Sequence, residues 1–237
     1  MGMFRAVVSP TSRISRLLSG CARLCIFRMI QASNKKALEL CNFNSSRHVY
    51  LEGSEAGLSF GEAQTFATEI HFYCAPNSDP IEPPGHQQGP AQWHGHQVLL
   101  SKFNGCVGGE YRIGLDAQRH VIFQREVSSW IVTTTDTIPL HEWHSIVCTY
   151  DGHFRRIYID CRHAAHIVRG PQKTDLTTPA MLGADLGGYA SAHHFEGYIS
   201  EVSLWQRSLD ANEVKSLATS NPLNSKVRTE REPTPPP

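Results

Sequence analysis

The sequence predicts an all-β fold, a sandwich of two antiparallel sheets with one short helix near the C-terminus. Three observations carry this prediction. Residues 143–161 have the composition of two strands joined by a tight turn, residues 65–73 alternate between apolar and polar side chains, and short strand-like runs recur along the chain between turn-forming residues. At 237 residues the chain has ample length for one β-sandwich domain.

The central segment is predicted to be a β-hairpin. Its first strand, residues 143–150, is rich in aromatic and β-branched residues, which favour strands. Asp151-Gly152 follows, and this pair is a strong hairpin signal because glycine tolerates the positive φ that such turns need. The second strand, residues 154–160, places its two isoleucines on one face, because side chains alternate along a strand.

The remaining strands follow in chain order. In residues 65–73, Phe66, Ile70 and Phe72 share one face and polar side chains occupy the other, which is typical of a sandwich strand with one solvated face. The further predicted strands are residues 37–40, 48–51, 97–102, 111–115, 120–125, 130–134, 164–168 and 180–184.

The end of the domain carries one strand and one helix. The apolar side chains of the strand change parity between Ile199 and Val202, which predicts a β-bulge between them. The helix is predicted over residues 209–218. Asp210 is its N-cap, and Glu213 three residues later completes the pattern of a capping box.

Four of these segments resemble the laminin-G-like domains of the concanavalin A-like lectin/glucanase superfamily, which also holds the pentraxins. The segments are the central hairpin at 143–160, the opening strands at 37–51, the middle strand at 111–115 and the closing FEGYISEVSLWQRSL at 195–209. The resemblance covers about residues 36–218. It implies a jelly-roll β-sandwich, a fold that hosts sugar binding, protein binding, catalysis and scaffolding.

Two positions depart from the family pattern. Cys161 stands where the family usually has glycine after the central hairpin, which alters a turn. Ser200 stands where the family usually has aspartate, which removes an acid from the closing strand.

The segments around the domain have distinct compositions. Residues 1–35 are rich in arginine and serine and lack acids, and we predict a basic leader. Three interpretations of this leader stay open. It is an organellar transit peptide, a disordered or artefactual segment that precedes a true start at Met29, or a secretion signal. Arg23 and Arg28 interrupt the apolar runs that a secretory signal needs, so an intracellular or organellar location is favoured over secretion. Residues 219–237 are predicted to be a disordered, proline-rich tail.

Residues 75–96 interrupt the strand pattern with five prolines and three glycines. Such a segment does not form regular structure. Because the family usually has a short connection at this point, the segment is predicted to be an insertion loop.

Charge and cysteine content narrow the function classes. The net formal charge is zero, which gives no electrostatic reason to expect a nucleic acid partner. The first 38 residues hold seven basic residues and no acid, so the remainder holds 15 basic against 22 acidic residues. No apolar run is long enough for a transmembrane helix.

Seven cysteines leave at least one thiol outside any intramolecular pairing, and the disulfide state stays open.

Catalysis is the least supported function. The glucanases of the resembling superfamily carry two or three acids on one strand face, as E-x-D-x-E or E-x-D-x-x-E, since glycoside hydrolysis uses paired carboxyl groups. The sequence has no such cluster, and Glu201 stands alone. We therefore expect no enzymatic activity, with a divergent glycoside hydrolase as an alternative.

Calcium is the metal that the resemblance implies, because several relatives hold it at a rim of the sandwich. Calcium takes six to eight oxygen ligands, mainly carboxylates and carbonyls. The candidate ligands are Asp185, Asp136 and Asp116, which lie at strand ends or in loops. Aspartate also favours turns for its own hydrogen bonds, which is the other interpretation of each position. A histidine pair, His94-x-His96, is a second candidate for surface metal binding.

The candidate ligand-binding residues are Trp130, Tyr189 and Arg112, because aromatic rings stack on sugars and these positions lie at strand starts, in loops or on the sheet. Trp143 and Trp205 are predicted to be core residues. The sequence thus predicts a non-catalytic recognition module for a glycan or a protein surface, with calcium as a candidate cofactor. The alternative is a structural or protein-interaction domain without a small ligand.

Overall fold

The computed structural model describes residues 5–8, 22–24, 38–39, 49–52, 54–74, 96–104, 108–125, 131–168, 174–185 and 194–220. The strands are β1 (Arg5–Val8), β2 (Ala22–Leu24), β3 (Leu38–Glu39), β4 (Val49–Glu52), β5 (Phe66–Cys74), β6 (Gln97–Asn104), β7 (Gly108–Leu115), β8 (His120–Arg125), β9 (Ile131–Thr137), β10 (Trp143–Tyr150), β11 (Phe154–Ile159), β12 (Arg162–Val168), β13 (Ala180–Leu182) and β14 (Gly197–Trp205). The helices are α1 (Ser54–Gly57) and α2 (Ala211–Ser220).

Within these ranges the strands form two seven-stranded sheets in which every pair is antiparallel. Sheet I has the order β1-β4-β13-β6-β7-β8-β9. Sheet II has the order β12-β11-β10-β5-β14-β2, and β3 also pairs with β14. The predicted two-sheet jelly-roll sandwich with one short C-terminal helix is confirmed.

Strands β1 and β2 lie inside residues 1–35, which the sequence assigned to a leader. They pair with β4 and β14, at the edges of the two sheets. The domain boundary at residue 36 stays a prediction. Most of the 75–96 segment and most of the tail from residue 219 lie outside the described residues, and these assignments also stay predictions.

The central hairpin is confirmed as β10–β11. Gly152 has a φ of 92°, and the Asp151 carboxylate accepts hydrogen bonds from the backbone N–H groups of His153 and Phe154. The next turn, between β11 and β12, consists of Asp160 and Cys161 with φ values of 48° and 63°. Both non-glycine residues therefore occupy the left-handed region, at the position where the family usually has glycine.

The core lies between the sheets and is built from alternate residues of each strand. Phe66 of β5 is central to it, with ring centroids 4.6 Å from Phe60, 5.3 Å from Tyr111 and 5.8 Å from Phe123. The predicted face of Phe66, Ile70 and Phe72 is confirmed as the core face. The residues that alternate with these core positions therefore point away from the sandwich and form the outer faces of the sheets.

The prediction that β5 has a solvated face is wrong. Glu69 and His71 lie on the outer face of sheet II, yet they are only 4% and 2% exposed. Part of the same face is covered by α2, whose Val214 packs with Ala67 and Val147. The predicted capping box is confirmed: Asp210 Oδ1 accepts from the Glu213 N–H, and Glu213 Oε2 accepts from the Asp210 N–H, each at 2.9 Å.

The predicted β-bulge in the closing strand is also confirmed, because the register between β14 and β5 shifts between Ile199 and Glu201. The described cysteines Cys74 and Cys148 are buried thiols outside any disulfide, and burial raises the pKa of the Cys74 thiol to about 12. No helix in the described ranges is long and apolar enough to cross a membrane.

Two carboxylates order the loop that leads into β13: Glu110 ties it to sheet I, and Asp175 bonds within the loop. Glu110 of β7 accepts hydrogen bonds from the Ser59 hydroxyl and from the backbone N–H groups of Phe60 and Asp175. Burial raises the pKa of the Asp175 carboxyl, but hydrogen bonds from Thr178 and Thr177 outweigh this effect and hold the pKa well below its ordinary value. These contacts fix where β13, and the residues after it, lie.

We expect the free energy of unfolding to fall as the pH is lowered below about 4, the ordinary pKa of an unfolded aspartate. A carboxyl whose pKa is depressed in the folded state stabilises the fold above the unfolded pKa, and this contribution is lost as the pH falls through the folded value. Urea denaturation between pH 7 and pH 2 measures the slope, and Asp175→Asn should reduce it. If the free energy of unfolding depends on pH equally in the native chain and in Asp175→Asn, Asp175 is not the source of the effect.

Candidate functional site

Two of the residues predicted from the sequence to bind ligands meet on the outer face of sheet I. Arg112, on β7 between the core residues Tyr111 and Ile113, extends away from the core. Its Nη1 lies 3.0 Å from Oδ2 of Asp185, three residues after the end of β13. Their side chains are 2% and 1% exposed, so this is a buried ion pair rather than a surface one.

The sheet register places Arg112 in a row of outward-facing residues. The row crosses five strands and comprises Met181, Ser101, Arg112, Gln124 and Ile131. Polar side chains occupy its centre, where the adjoining row on the same face carries Val98 and Ile122. The Ser101 hydroxyl donates a 2.7 Å hydrogen bond to the Ala184 carbonyl, which holds the chain next to Asp185 over the sheet.

Other side chains close around the guanidinium of Arg112. Its Nη2 lies 3.5 Å from Nδ1 of His96, and its Cζ lies 5.3 Å from the ring centroid of Phe103. His96 is therefore part of this site. Its predicted metal partner His94 lies outside the described residues, and that metal prediction stays a prediction.

Gln124 is the most informative side chain of the row. It is 0% exposed, and in the described part of the chain neither its amide oxygen nor its amide nitrogen finds a hydrogen-bond partner. An unpaired buried polar group costs about 1–3 kcal/mol. Solvent exposure increases from Gln124 toward the β9 edge of sheet I, where Ile131 is half-buried and Thr133 is exposed. The site thus contains an unused donor and acceptor near the β9 edge.

The predicted calcium ligands do not converge. The Asp116 carboxylate accepts hydrogen bonds from the N–H groups of Gln118 and His120 and contacts the His120 ring at 2.8 Å, so it closes the β7–β8 turn. Asp136 is exposed on β9. Asp185 faces a guanidinium, which repels a cation.

Across the ranges that the structure describes, no three His, Cys, Asp or Glu side chains lie close enough together to hold a metal ion. These residues do not fit a calcium site as they are arranged. The calcium prediction stays a prediction.

Trp130 and Tyr189, the other predicted ligand-binding residues, lie outside the described residues. In the sequence, Trp130 directly precedes Ile131, which pairs with Gln124, and Tyr189 follows Asp185 by four residues. Their assignment as ligand contacts stays a prediction.

A second group of residues, on the outer face of sheet II, was missed at the sequence level. The prediction that Trp143 is a core residue is wrong, because its side chain is half-buried on the outer face beside Tyr73, with 5.7 Å between the ring centroids. Its alternation with the core residues His144 and Ile146 was the signal that pointed to this face. His144 is packed and bonded as predicted, 3.0 Å from Asp160.

The buried carboxylates are each held by hydrogen-bond or ion-pair donors. Glu69 contacts His71 and Ser145, Glu110 contacts three donors of neighbouring loops, and Asp185 contacts Arg112. Each of these carboxylates is occupied by such donors, an arrangement that differs from the two carboxyl groups facing a sugar that glycoside hydrolysis needs.

The sandwich and its polar outer face define a lectin-like jelly-roll domain. A laminin-G-type family model, described as the concanavalin A-like lectin/glucanases superfamily, matches residues 89–215. This match covers more than half of the chain, so the chain belongs to that superfamily. The family resemblance seen in the sequence is confirmed. No curated protein sequence matches the chain.

Several solved structures share the fold. The binding domain of Paraclostridial Mosquitocidal Protein 1 has a TM-score of 0.59 at 14% identity, over 89% of this chain and 47% of that one. The Ruminococcus gnavus IT-sialidase CBM40, solved bound to α2,3-sialyllactose, has a TM-score of 0.50 at 12% identity, over 67% and 90%.

A mutant Trypanosoma rangeli sialidase that displays trans-sialidase activity has a TM-score of 0.53 at 13% identity, over 94% of this chain and 30% of that one. The chain therefore spans about half of the mosquitocidal binding domain and less than a third of the sialidase. At these identities the likeness concerns the fold.

Proposed function

We propose that the chain is a non-catalytic glycan-recognition module whose ligand lies over the outer face of sheet I, beside Gln124 and Arg112. The observation that carries the proposal is the buried Gln124 amide, which has no hydrogen-bond partner among the described residues. A protein retains such a group at a cost in stability. A ligand that enters from the β9 edge, displaces what covers Gln124 and completes its hydrogen bonds offsets that cost.

A carbohydrate suits this amide because each sugar hydroxyl both donates and accepts a hydrogen bond. A site built to bond a hydroxyl rejects analogues that lack it, since its polar groups are then left unpaired. The Arg112–Asp185 pair holds the centre of the site rigid, and the exposed Thr133 marks the side from which a ligand would approach. The superfamily and the sialyllactose complex of a protein with the same fold agree with a sugar ligand.

The competing functions have less support. A large exposed apolar patch would mark a protein-interaction surface. Within the described ranges, the exposed large hydrophobic residues are Val168, at the end of β12, and Leu176, in the loop before β13. A hydrolase needs free paired carboxyl groups, whereas the buried carboxylates here are held by donors.

We expect Gln124→Met to remove glycan binding while raising the free energy of unfolding by about 1–2 kcal/mol, because it replaces an unpaired buried amide with an apolar side chain of similar shape. Glycan-array binding by the full chain measures the first effect, and urea denaturation measures the second. The array is run with calcium and again with a chelator, since loss of binding in chelator would reinstate the calcium prediction.

Thr68→Val is the matched control. The Thr68 hydroxyl is also buried without a partner among the described residues, but it faces the core between the sheets. Its replacement should stabilise the protein and leave glycan binding unchanged. The proposal fails if the native chain binds no glycan in either condition, or if Gln124→Met binds as well as the native chain.

A further inference from the structure

The last strand of sheet II, β12, carries two histidines on one face. His163 and His166 are three residues apart, a spacing that puts side chains on opposite faces of a regular strand. The register between β11 and β12 shifts between Ile157 and Tyr158, which leaves Ala164 as an extra residue. This β-bulge brings both imidazoles to the outer face of the sheet.

The distances between rings show that the two imidazoles are direct neighbours. The ring centroids of His163 and His166 are 5.3 Å apart. The ring of His163 also lies 5.5 Å from that of Tyr158, and the ring of His166 lies 6.2 Å from that of Phe154. Both histidines are exposed, so a ligand can reach them from solvent.

This spacing suits two imidazoles that bind one metal ion. Zinc binds an imidazole nitrogen at about 2.0–2.1 Å and is usually tetrahedral, which places the centroids of two coordinated rings about 5 Å apart. Across the ranges that the structure describes, no third His, Cys, Asp or Glu joins the pair to form a metal-binding group. The described residues of one chain therefore supply two of the four ligands that a closed zinc site needs.

The charges near the pair leave room for a cation. Arg156 pairs with His166 in the register, but its Nη1 donates to the Asp151 carboxylate and its Cζ lies 4.7 Å from the ring centroid of Phe154. Its charge is thus offset and directed toward the β10–β11 turn. The neighbouring Arg162 lies on the other face of β12, because side chains alternate along a strand.

We propose that His163 and His166 bind Zn²⁺ together with the same two residues of a second copy of the chain, so that the ion joins two chains across a twofold axis. A twofold contact repeats one surface patch on both chains, so two ligands from each chain give the four that zinc needs. The site lies on the opposite sheet from Gln124. It therefore goes beyond the function proposed above and stands if that proposal fails.

The position of the pair favours a second copy as the partner. β12 is at the end of sheet II, and among the described strands it pairs with β11 alone. Val168 follows His166 by two positions on the same face and is 42% exposed, and a second chain would cover it. An unrelated partner would have to supply two further ligands in matching geometry, whereas a second copy supplies them by symmetry.

Sedimentation velocity of the full chain, in Zn²⁺ and again in a chelator, tests the proposal. We expect a dimer in Zn²⁺ and a monomer in the chelator, and calorimetry should detect one Zn²⁺ per two chains. His163→Gln and His166→Gln should each weaken the Zn²⁺-dependent dimer more than about tenfold, because even the loss of an outer-shell partner costs about 10–100-fold in metal affinity. Both side chains are exposed, so neither replacement should prevent folding.

His153→Gln is the matched control. His153 is an exposed histidine beside the same hairpin, and its ring contacts that of Phe154, but it is not a member of the pair. This variant should form the dimer as the native chain does, and so should Gln124→Met. The proposal is overturned if the native chain stays monomeric in Zn²⁺, if the dimer persists in the chelator, or if His163→Gln and His166→Gln weaken it no more than His153→Gln does.

Discussion

Replacing Glu110 with alanine is expected to lower the free energy of unfolding by about 3–5 kcal/mol, the cost of leaving a buried charge without its partner. Glu110 and Lys102 are both 0% exposed, and Nζ of Lys102 lies 3.9 Å from Oε1 of Glu110. Burial lowers the pKa of Lys102, and the Glu110 charge is the main influence that raises it again. Alanine at this position would also leave the N–H groups of Phe60 and Asp175 without their acceptor.

Urea denaturation of Glu110→Ala and Glu110→Gln measures this effect. The glutamine variant keeps one acceptor oxygen and should lose less. Glu142→Gln is the control, because its side chain is about half exposed, and it should change stability by less than about 0.5 kcal/mol. A loss below about 1 kcal/mol in Glu110→Ala would show that the pair does not anchor the loops before β5 and β13.

The second large effect concerns the buried pair at the centre of sheet I. Arg112→Met and Asp185→Leu should each cost about 3–5 kcal/mol, because each removes the ion-pair partner of a charge that stays buried. The double replacement removes both charges and should recover most of that loss, since apolar residues of similar volume often replace a buried ion pair without penalty. Glycan binding at sheet I should be lost in all three proteins.

A double-mutant cycle by urea denaturation gives the coupling energy of the two residues. The Asp151–Arg156 pair provides the comparison, because both of its side chains are about 30% exposed, and its coupling should stay below about 1 kcal/mol. Recovery of glycan binding in the double variant would contradict the assignment of Arg112 to the site. Additive losses without recovery would show that the two charges act independently.

Much of the fold follows from local chemistry and was predictable. The Asp151-Gly152 turn, the capping box of α2 and the bulge after Ile199 each depend on a few neighbouring residues, and all three are confirmed. The strand faces follow from alternation, which assigned Phe66 and Ile70 correctly to the core.

The candidate sites were only partly predictable, because they depend on contacts between distant parts of the chain. Arg112 and Asp185 are separated by 73 residues in the sequence. They meet because β7 and β13 both pair with β6 in sheet I. Gln124 has the polarity of an ordinary solvated position, and the sequence does not show that it is covered. Trp143 was assigned to the core because it and Trp205 occupy matched strand positions, although its parity with Ser145 placed it on the outer face.

The two turns that bound β11 differ in the order in which they can form. The β10–β11 turn places a glycine in the left-handed region, so local interactions can close it early. The next turn forces Asp160 and Cys161 into that region, at an energetic cost for each residue. This second hairpin therefore needs the packed sheet to hold it. Assembly of sheet II should consequently start at β10–β11 and add β12 late, after collapse of the core has supplied the compensating contacts.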